Sequence, residues 1–440
     1  MTVENRAALG RSAAHALALD CVEVGIDAAR PGRVVRDAVS LEGDTLRVED
    51  ATYDLGAYDE VRVLGGGKAA GHVAAALEAL LGDRLDGGVV VTDDPVETDR
   101  VDALPGNHPV PDEHSVASTR TLLDAADAAD EGTLVLAAIT GGGSALLAAP
   151  APGVSLPDLR ATTDALLDSG ASIHEVNAVR KHLSAVKGGR LARRAAPATV
   201  VSLVLSDVVG DDLDVIASGP TVPDDSTYDD ALRVLERYDV AVPDAVRENL
   251  ARGAAGDEPE TPGSGGALST DHVHVLANGY TALAAARAVA SGRGFAPLVL
   301  TSRLRGEARE AGLTTLAVAE EARATGDPVE PPAVVLSGGE TTVTVRGDGT
   351  GGPNQECALR FAAECEGLEA VFAAVDTDGR DGGTDAAGAL VDDGTVADRD
   401  AALAALDDND ATPFLADRDA LVTTGRTGTN VNDLHVLVLA

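Results

Sequence analysis

A repeated pattern limits the fold of this chain more than any other feature: a short apolar run, a loop of glycines, then a helical segment. Residues 61–64 (VRVL) lead into Gly65, Gly66, Gly67 and Lys68, followed by a helical run to residue 81. Residues 134–139 (LVLAAI) lead into Thr140, Gly141, Gly142, Gly143 and Ser144, and residues 200–205 end at Ser206 and Asp207. Strands alternating with helices predict an α/β fold with a parallel, doubly wound, Rossmann-like sheet. Ligands of such sheets collect beyond the carboxyl ends of the strands, where these loops fall.

At 440 residues the chain exceeds one ordinary domain. The stretch 252–270 is rich in Gly, Pro, Ser and Thr and reads as a linker or long excursion. We therefore expect an N-terminal domain over 1–250, a connection over 251–270, and a smaller α/β domain over 271–440. Strands are expected there at 272–277, 297–301, 334–336, 341–345, 371–375 and 435–439. Alternation over 341–346 suggests an antiparallel or edge pair, hence a mixed sheet.

The formal net charge is −38, with the acids scattered through periodic segments. This balance disfavours nucleic acid as a partner, and none is expected. Such self-repulsion is tolerable where concentrated salt screens it, as in a halophile. No run reaches the roughly 18 apolar residues of a membrane span, and the first ten residues carry charge instead of an apolar signal core. A soluble, cytoplasmic protein without membrane partners is expected. The three cysteines, Cys21, Cys357 and Cys365, show no metal or disulfide spacing. Of 34 basic residues only Lys68, Lys181 and Lys187 are lysine. Where lysine is so scarce, a survivor marks a place that needs a compact ammonium donor; Lys68 is the leading case, and chance retention suits Lys187 better.

Several clusters carry chemistry. A glycine loop after a strand turns backbone N–H groups toward an anion. GGGKAA at 65–70 lacks the spacing and the hydroxyl residue of a P-loop, so an ordinary tight turn competes with phosphate binding there. TGGGSA at 140–145 adds hydroxyl donors to its backbone donors, against the alternative of a plain strand-to-helix turn. Asn107 and His108 project from a proline-stiffened loop suited to substrate, or to nothing but solvent. On one predicted helix Asn177, Arg180 and Ser184 share a face with Lys181 alongside, where a carboxylate or phosphate could dock. Asp207 ends a buried strand, and Asp376, Asp378, Asp381 and Asp385 follow another, offering oxygen ligands suited to Mg²⁺ or a simple acidic surface.

Together these segments resemble the glycerate 2-kinase family, whose C-terminal part is the MOFRL domain. The resemblance spans nearly the whole chain. It is carried by GGGKAA (65–70), GNHPVPD (106–112), TGGGSALL (140–147), NAVRKHLSAVKGGRLA (177–192) and SDVVGDDLDVIASGPT (206–221). The C-terminal set is SGGETTV (337–343), GGPNQE (351–356), TDGRDGGTDAAG (377–388) and TGTNVNDL (427–434). The resemblance implies two α/β domains around an active-site cleft, ATP and Mg²⁺ as cofactors, D-glycerate as substrate and 2-phosphoglycerate as product, with a homodimer as one possible assembly. It makes Lys68 the catalytic lysine, with Asp207 and Arg180 as partners and a MOFRL region at about 331–440. Pro353 departs from the Arg usual in GGRNQE, and Arg380 and Arg426 replace an apolar residue and a proline. Arg380 is thus a candidate to supply the positive charge missing at 353. Competing readings are a nicotinamide-dependent hydroxypyruvate reductase, for which no GxGxxG with a downstream acid is evident, a kinase forming 3-phosphoglycerate, and a non-catalytic binder.

Overall fold

The computed structural model describes residues 2–440 apart from 266, 267, 269 and 271. The chain forms two compact units that do not follow its order. One is Val34–Leu276; the other joins the first 33 residues to Ala277–Ala440. The division expected at 250–271 therefore differs from the observed one mainly in the first 33 residues, whose long helix Ala13–Ala28 serves the second unit. Gly25 of that helix lies so close to Ala282 and Leu434 that no side chain fits between them.

In the unit Val34–Leu276 a six-stranded sheet runs in the order Val101–Pro105, Gly87–Thr92, Glu60–Gly66, Thr133–Thr140, Thr199–Leu205, Val273–Ala277. The first five strands are parallel. Strand order reverses between Glu60–Gly66 and Thr133–Thr140, which carry the two glycine loops, and such a reversal is where doubly wound sheets open a crevice. Thr133–Thr140 is buried along its whole length, as a central strand must be. Val273–Ala277 had been expected to open the second domain; it instead extends the first sheet beside Thr199–Leu205. A separate three-stranded antiparallel sheet, Val39–Glu42, Thr45–Val48 and Ala51–Asp54, lies outside the sequence-based expectation.

The other unit holds the expected mixed sheet, ordered Ala296–Glu307, Ala333–Thr342, Asp433–Leu439, Ala370–Asp376, Gly388–Asp392, Leu421–Val422. Only the first pair is parallel. The strands expected at 334–336 and 341–345 are one strand, Ala333–Thr342, whose Gly338 and Gly339 keep the ladder unbroken. Phe361, Phe372, Leu437 and the alanines of helix Ala308–Thr325 form its core. Among the described residues no helix is long and apolar enough to cross a membrane.

Candidate active site

The two glycine loops are bonded to each other. Lys68 N–H donates to Gly141 O at 2.8 Å, Ala69 N–H to Thr140 Oγ1 at 3.1 Å, and Gly67 N–H to Val91 O at 3.0 Å. Gly67 (φ 137°) lies against Thr140, and a Cβ there would collide with it. This changes the duty of the first loop. Gly65 and Gly66 close the strand ladder, Gly67 and Lys68 give their N–H groups to the protein, and the Thr140 hydroxyl accepts from Ala69. The residues 65–67 and Thr140, expected to touch a nucleotide, hold the loops together and aim the Lys68 side chain.

The second loop is differently placed. Gly142 caps the short helix Gly143–Leu146, so the N–H groups at its start have no acceptor inside it. A methyl group on Gly142 would come 2.9 Å from Lys68 Cγ and 3.2 Å from His108 Cδ2; one on Gly141 would run into the Asp207 carboxylate. Lys68, His108 and Asp207, drawn from three separate motifs, thus converge on Gly141 and Gly142.

A polar chain continues from Ser144. Its Oγ lies 2.8 Å from Ser218 Oγ, which donates to Asn177 Oδ1 at 3.0 Å. Asn177 is buried, and among the described residues its Nδ2 has no hydrogen-bond partner. Arg180 Nη2 donates to Ser144 O at 3.2 Å, and among the described residues no carboxylate pairs with this guanidinium. Burial pulls its pKa down to about 10. Lys187 donates to Ser144 O at 2.7 Å and Leu147 O at 2.9 Å. Burial, and then Arg180 beside it, lower the Lys187 pKa well below the usual value. Two cations meeting on one carbonyl without a carboxylate make this site receptive to an anion. Lys187 and Ser218 were missed as contributors by sequence reading, which had read Lys187 as retained by chance.

Other expected residues have different partners. Lys181 is fully buried and paired with Asp214 and, at 3.2 Å, Asp224, so its ammonium is already neutralised. Asn107 is exposed and turns its amide to Val110 O at 2.8 Å, bracing its own loop.

In the other unit Asp381 is buried and acts as a helix cap. Its carboxylate accepts from Asn354 N–H at 2.9 Å and Gln355 N–H at 2.8 Å, at the start of helix Pro353–Ala362. Pro353 occupies the first turn of that helix, a position that tolerates a missing N–H. Asn354 Nδ2 donates to Asp433 Oδ1 at 2.7 Å and its Oδ1 lies 2.9 Å from His435 Nε2. Asp376 and Asp378 each use one carboxylate oxygen on a backbone N–H two residues on. Arg380, about half exposed, donates to Asp385 at 2.9 Å. Among the described residues no three His, Cys, Asp or Glu side chains are grouped to hold a metal ion. A Mg²⁺ ion here would therefore rely on one or two carboxylates together with phosphate oxygens, its usual manner of binding.

Burial raises the Asp381 carboxyl to about 7 and the Asp433 carboxyl to about 6, against the opposing pull of their N–H donors. Because the unfolded pKa is about 3.9, the folded chain keeps these protons longer; stability from this source is present at low pH and is lost as pH rises to about 7. The melting temperature of Asp381→Asn is expected to change less than that of the parent between about pH 5 and pH 8 at constant salt. An identical pH profile in the two proteins would remove this assignment.

Comparisons with known proteins place the chain in a family. A family model described as a domain of unknown function, DUF4147, matches residues 17–251, and the MOFRL family model matches residues 333–433. A glycerate 2-kinase of Pyrococcus horikoshii is 41% identical, over 96% of this chain and 98% of its own. A protein of Agrobacterium vitis, provisionally named a hydroxypyruvate reductase, is 44% identical over 86% of this chain and 98% of its own. The crystal structure of glycerate kinase from Thermotoga maritima superimposes with a TM-score of 0.83 at 40% identity, covering 97% of this chain and 99% of that one. On both its domains, and over nearly its full length, the chain belongs to the glycerate 2-kinase family with a C-terminal MOFRL domain.

Proposed function

We propose that this protein transfers a phosphoryl group from ATP to the 2-hydroxyl of D-glycerate. The observation that carries the reading is the convergence of Lys68, His108 and Asp207 on Gly141 and Gly142, beside the Arg180 and Lys187 cations at Ser144. Phosphoryl transfer asks little covalent work of a protein; it needs alignment and neutralisation of charge. Lys68 supplies a point charge to the transferring oxygens, and the N–H groups of Gly142, Gly143 and Ser144 receive phosphate. Arg180 binds the glycerate carboxylate in its guanidinium fork, with Asn177 holding Ser218 behind it and His108 closing the loop side. Asp207 is the carboxylate placed either to take the hydroxyl proton or to hold Mg²⁺. Bound Mg²⁺ would neutralise phosphate charge.

The extreme negative charge and the loss of nearly all lysine support work in concentrated salt. The name of the Agrobacterium relative invites a test of hydride transfer, which the glycine loops do not favour: residues 65–70 fit only the GxGxxA form of the dinucleotide spacing, and that loop gives the N–H groups of Gly67 and Lys68 to the protein. Incubation with ATP, Mg²⁺ and D-glycerate in multimolar KCl is expected to yield 2-phosphoglycerate, identified by ³¹P NMR. Formation of 3-phosphoglycerate would overturn the regiochemistry, and NADH oxidation by hydroxypyruvate without ATP turnover would overturn the reaction class.

A further inference from the structure

The polar chain at the second glycine loop carries its hydrogens in one direction. A serine hydroxyl has one hydrogen and two lone pairs. Ser218 Oγ gives its hydrogen to Asn177 Oδ1 at 3.0 Å, so in its 2.8 Å contact with Ser144 Oγ it can only accept. Ser144 is therefore the donor of that pair, and its Oγ turns only lone pairs to a ligand. Among the described residues Ser218 Oγ is the one hydrogen-bond partner of the Ser144 hydroxyl. The hydroxyl expected as a donor to an anion has thus already given its hydrogen to the protein.

The backbone is strained where it holds Ser218 in place. Ala217 (φ 52°, ψ 18°) and Ser218 (φ 60°) carry side chains in the left-handed region, followed by Gly219 (φ 60°). Such a conformation is disfavoured outside glycine and persists only where the surroundings enforce it. Here Gly188 N–H donates to Ser218 O at 3.0 Å and Gly189 N–H to Gly219 O at 2.7 Å. Ala217 presses on the glycine loop, since a Cβ on Gly143 would lie 2.6 Å from the Ala217 Cβ. Within residues 140–146 only Gly142 and Ser144 are not buried, so the oriented hydroxyl belongs to a residue that solvent and ligands reach.

A bare acceptor at this point selects its ligand. An anionic oxygen of phosphate or carboxylate would set lone pairs against lone pairs. A divalent cation would meet the Arg180 guanidinium, whose Nη2 lies 3.2 Å from Ser144 O. A neutral donor on an anionic molecule suits both neighbours, and in a hydroxy acid that donor is a hydroxyl. Resting on the kinase reading above, we infer that Ser144 Oγ accepts the hydrogen of the substrate hydroxyl that is not phosphorylated, with Ser218 as its positioning residue. The pair thereby distinguishes a dihydroxy acid from a monohydroxy acid.

D-Lactate keeps the carboxylate and the 2-hydroxyl of D-glycerate and lacks the 3-hydroxyl. Isothermal titration calorimetry of the full chain with each acid, in multimolar KCl without ATP, is expected to show D-glycerate bound at least ~10-fold more tightly. Ser144→Ala is expected to lower the affinity for D-glycerate until the two acids differ by less than ~3-fold, and to leave the affinity for D-lactate as it was. Ser218→Ala, which deprives the Ser144 hydrogen of its acceptor, should narrow the preference in the same sense. A parent without the preference, a preference unchanged in both variants, or an equal loss for both acids in Ser144→Ala would overturn the inference. Phosphorylation of D-glycerate by the parent, followed by ³¹P NMR, reports on the kinase reading separately. Its absence would overturn that reading and this inference with it, whereas a phosphorylating parent whose preference survives in both variants would overturn this inference alone.

Discussion

Lys68→Ala is expected to reduce kcat by about 10²–10³-fold while shifting the melting temperature little. The reasoning separates the backbone of this residue from its side chain. The backbone is a structural joint: its N–H holds Gly141 O, and its C=O accepts from Thr92 Oγ1 at 3.0 Å. Alanine keeps both bonds. The side chain leaves that joint alongside Gly142 and His108, so its loss removes a charge from the point where the phosphoryl group is proposed to develop negative charge. If charge neutralisation is its role, Lys68→Arg should recover only part of the rate, because a planar fork does not replace a compact ammonium. Near-parental turnover in Lys68→Ala, measured in steady state with ATP and D-glycerate, would sink the catalytic assignment.

Gly141→Ala should abolish detectable turnover and also destabilise the protein by about 1–3 kcal/mol, the usual cost of forcing extra volume into a packed site. The added methyl would meet the carboxylate of Asp207, and even Asp207 Cβ would be only 2.8 Å away. Asp207 has too short a side chain to swing clear, so either the loop or the end of strand Thr199–Leu205 must move. Gly383→Ala is the matched control: it lies in the Asp-rich segment, and its Cβ would meet nothing within 4 Å. Steady-state kinetics and thermal melts on the two variants should therefore diverge sharply. Equal behaviour would mean that Asp207 does not press on the loop.

Local pattern determined much of this protein. The alternation of apolar runs, glycine loops and helices led to the parallel sheet, the mixed second sheet, Lys68 and Asp207 just beyond strand ends, and Asn177 and Arg180 on one helix, since those features depend on neighbours in the chain. Partner choice is a different kind of information. The N–H of Ala69 is taken by a hydroxyl 71 residues away, Lys181 is neutralised by acids 33 and 43 residues on, and Asp381 caps a helix that begins before it in the chain. No periodicity encodes such pairings, so the capping duty of Asp381 and the ion pair of Lys181 could not be read from the sequence. The same holds for strand Val273–Ala277, whose apolar sequence predicted a strand without saying which sheet it would join. Sequence determined which segments form strands and helices and which side chains can do chemistry. Only the tertiary structure decided which polar groups satisfy one another and which remain for a ligand, because burial makes an unpaired charge costly and the partner that relieves it is distant in sequence.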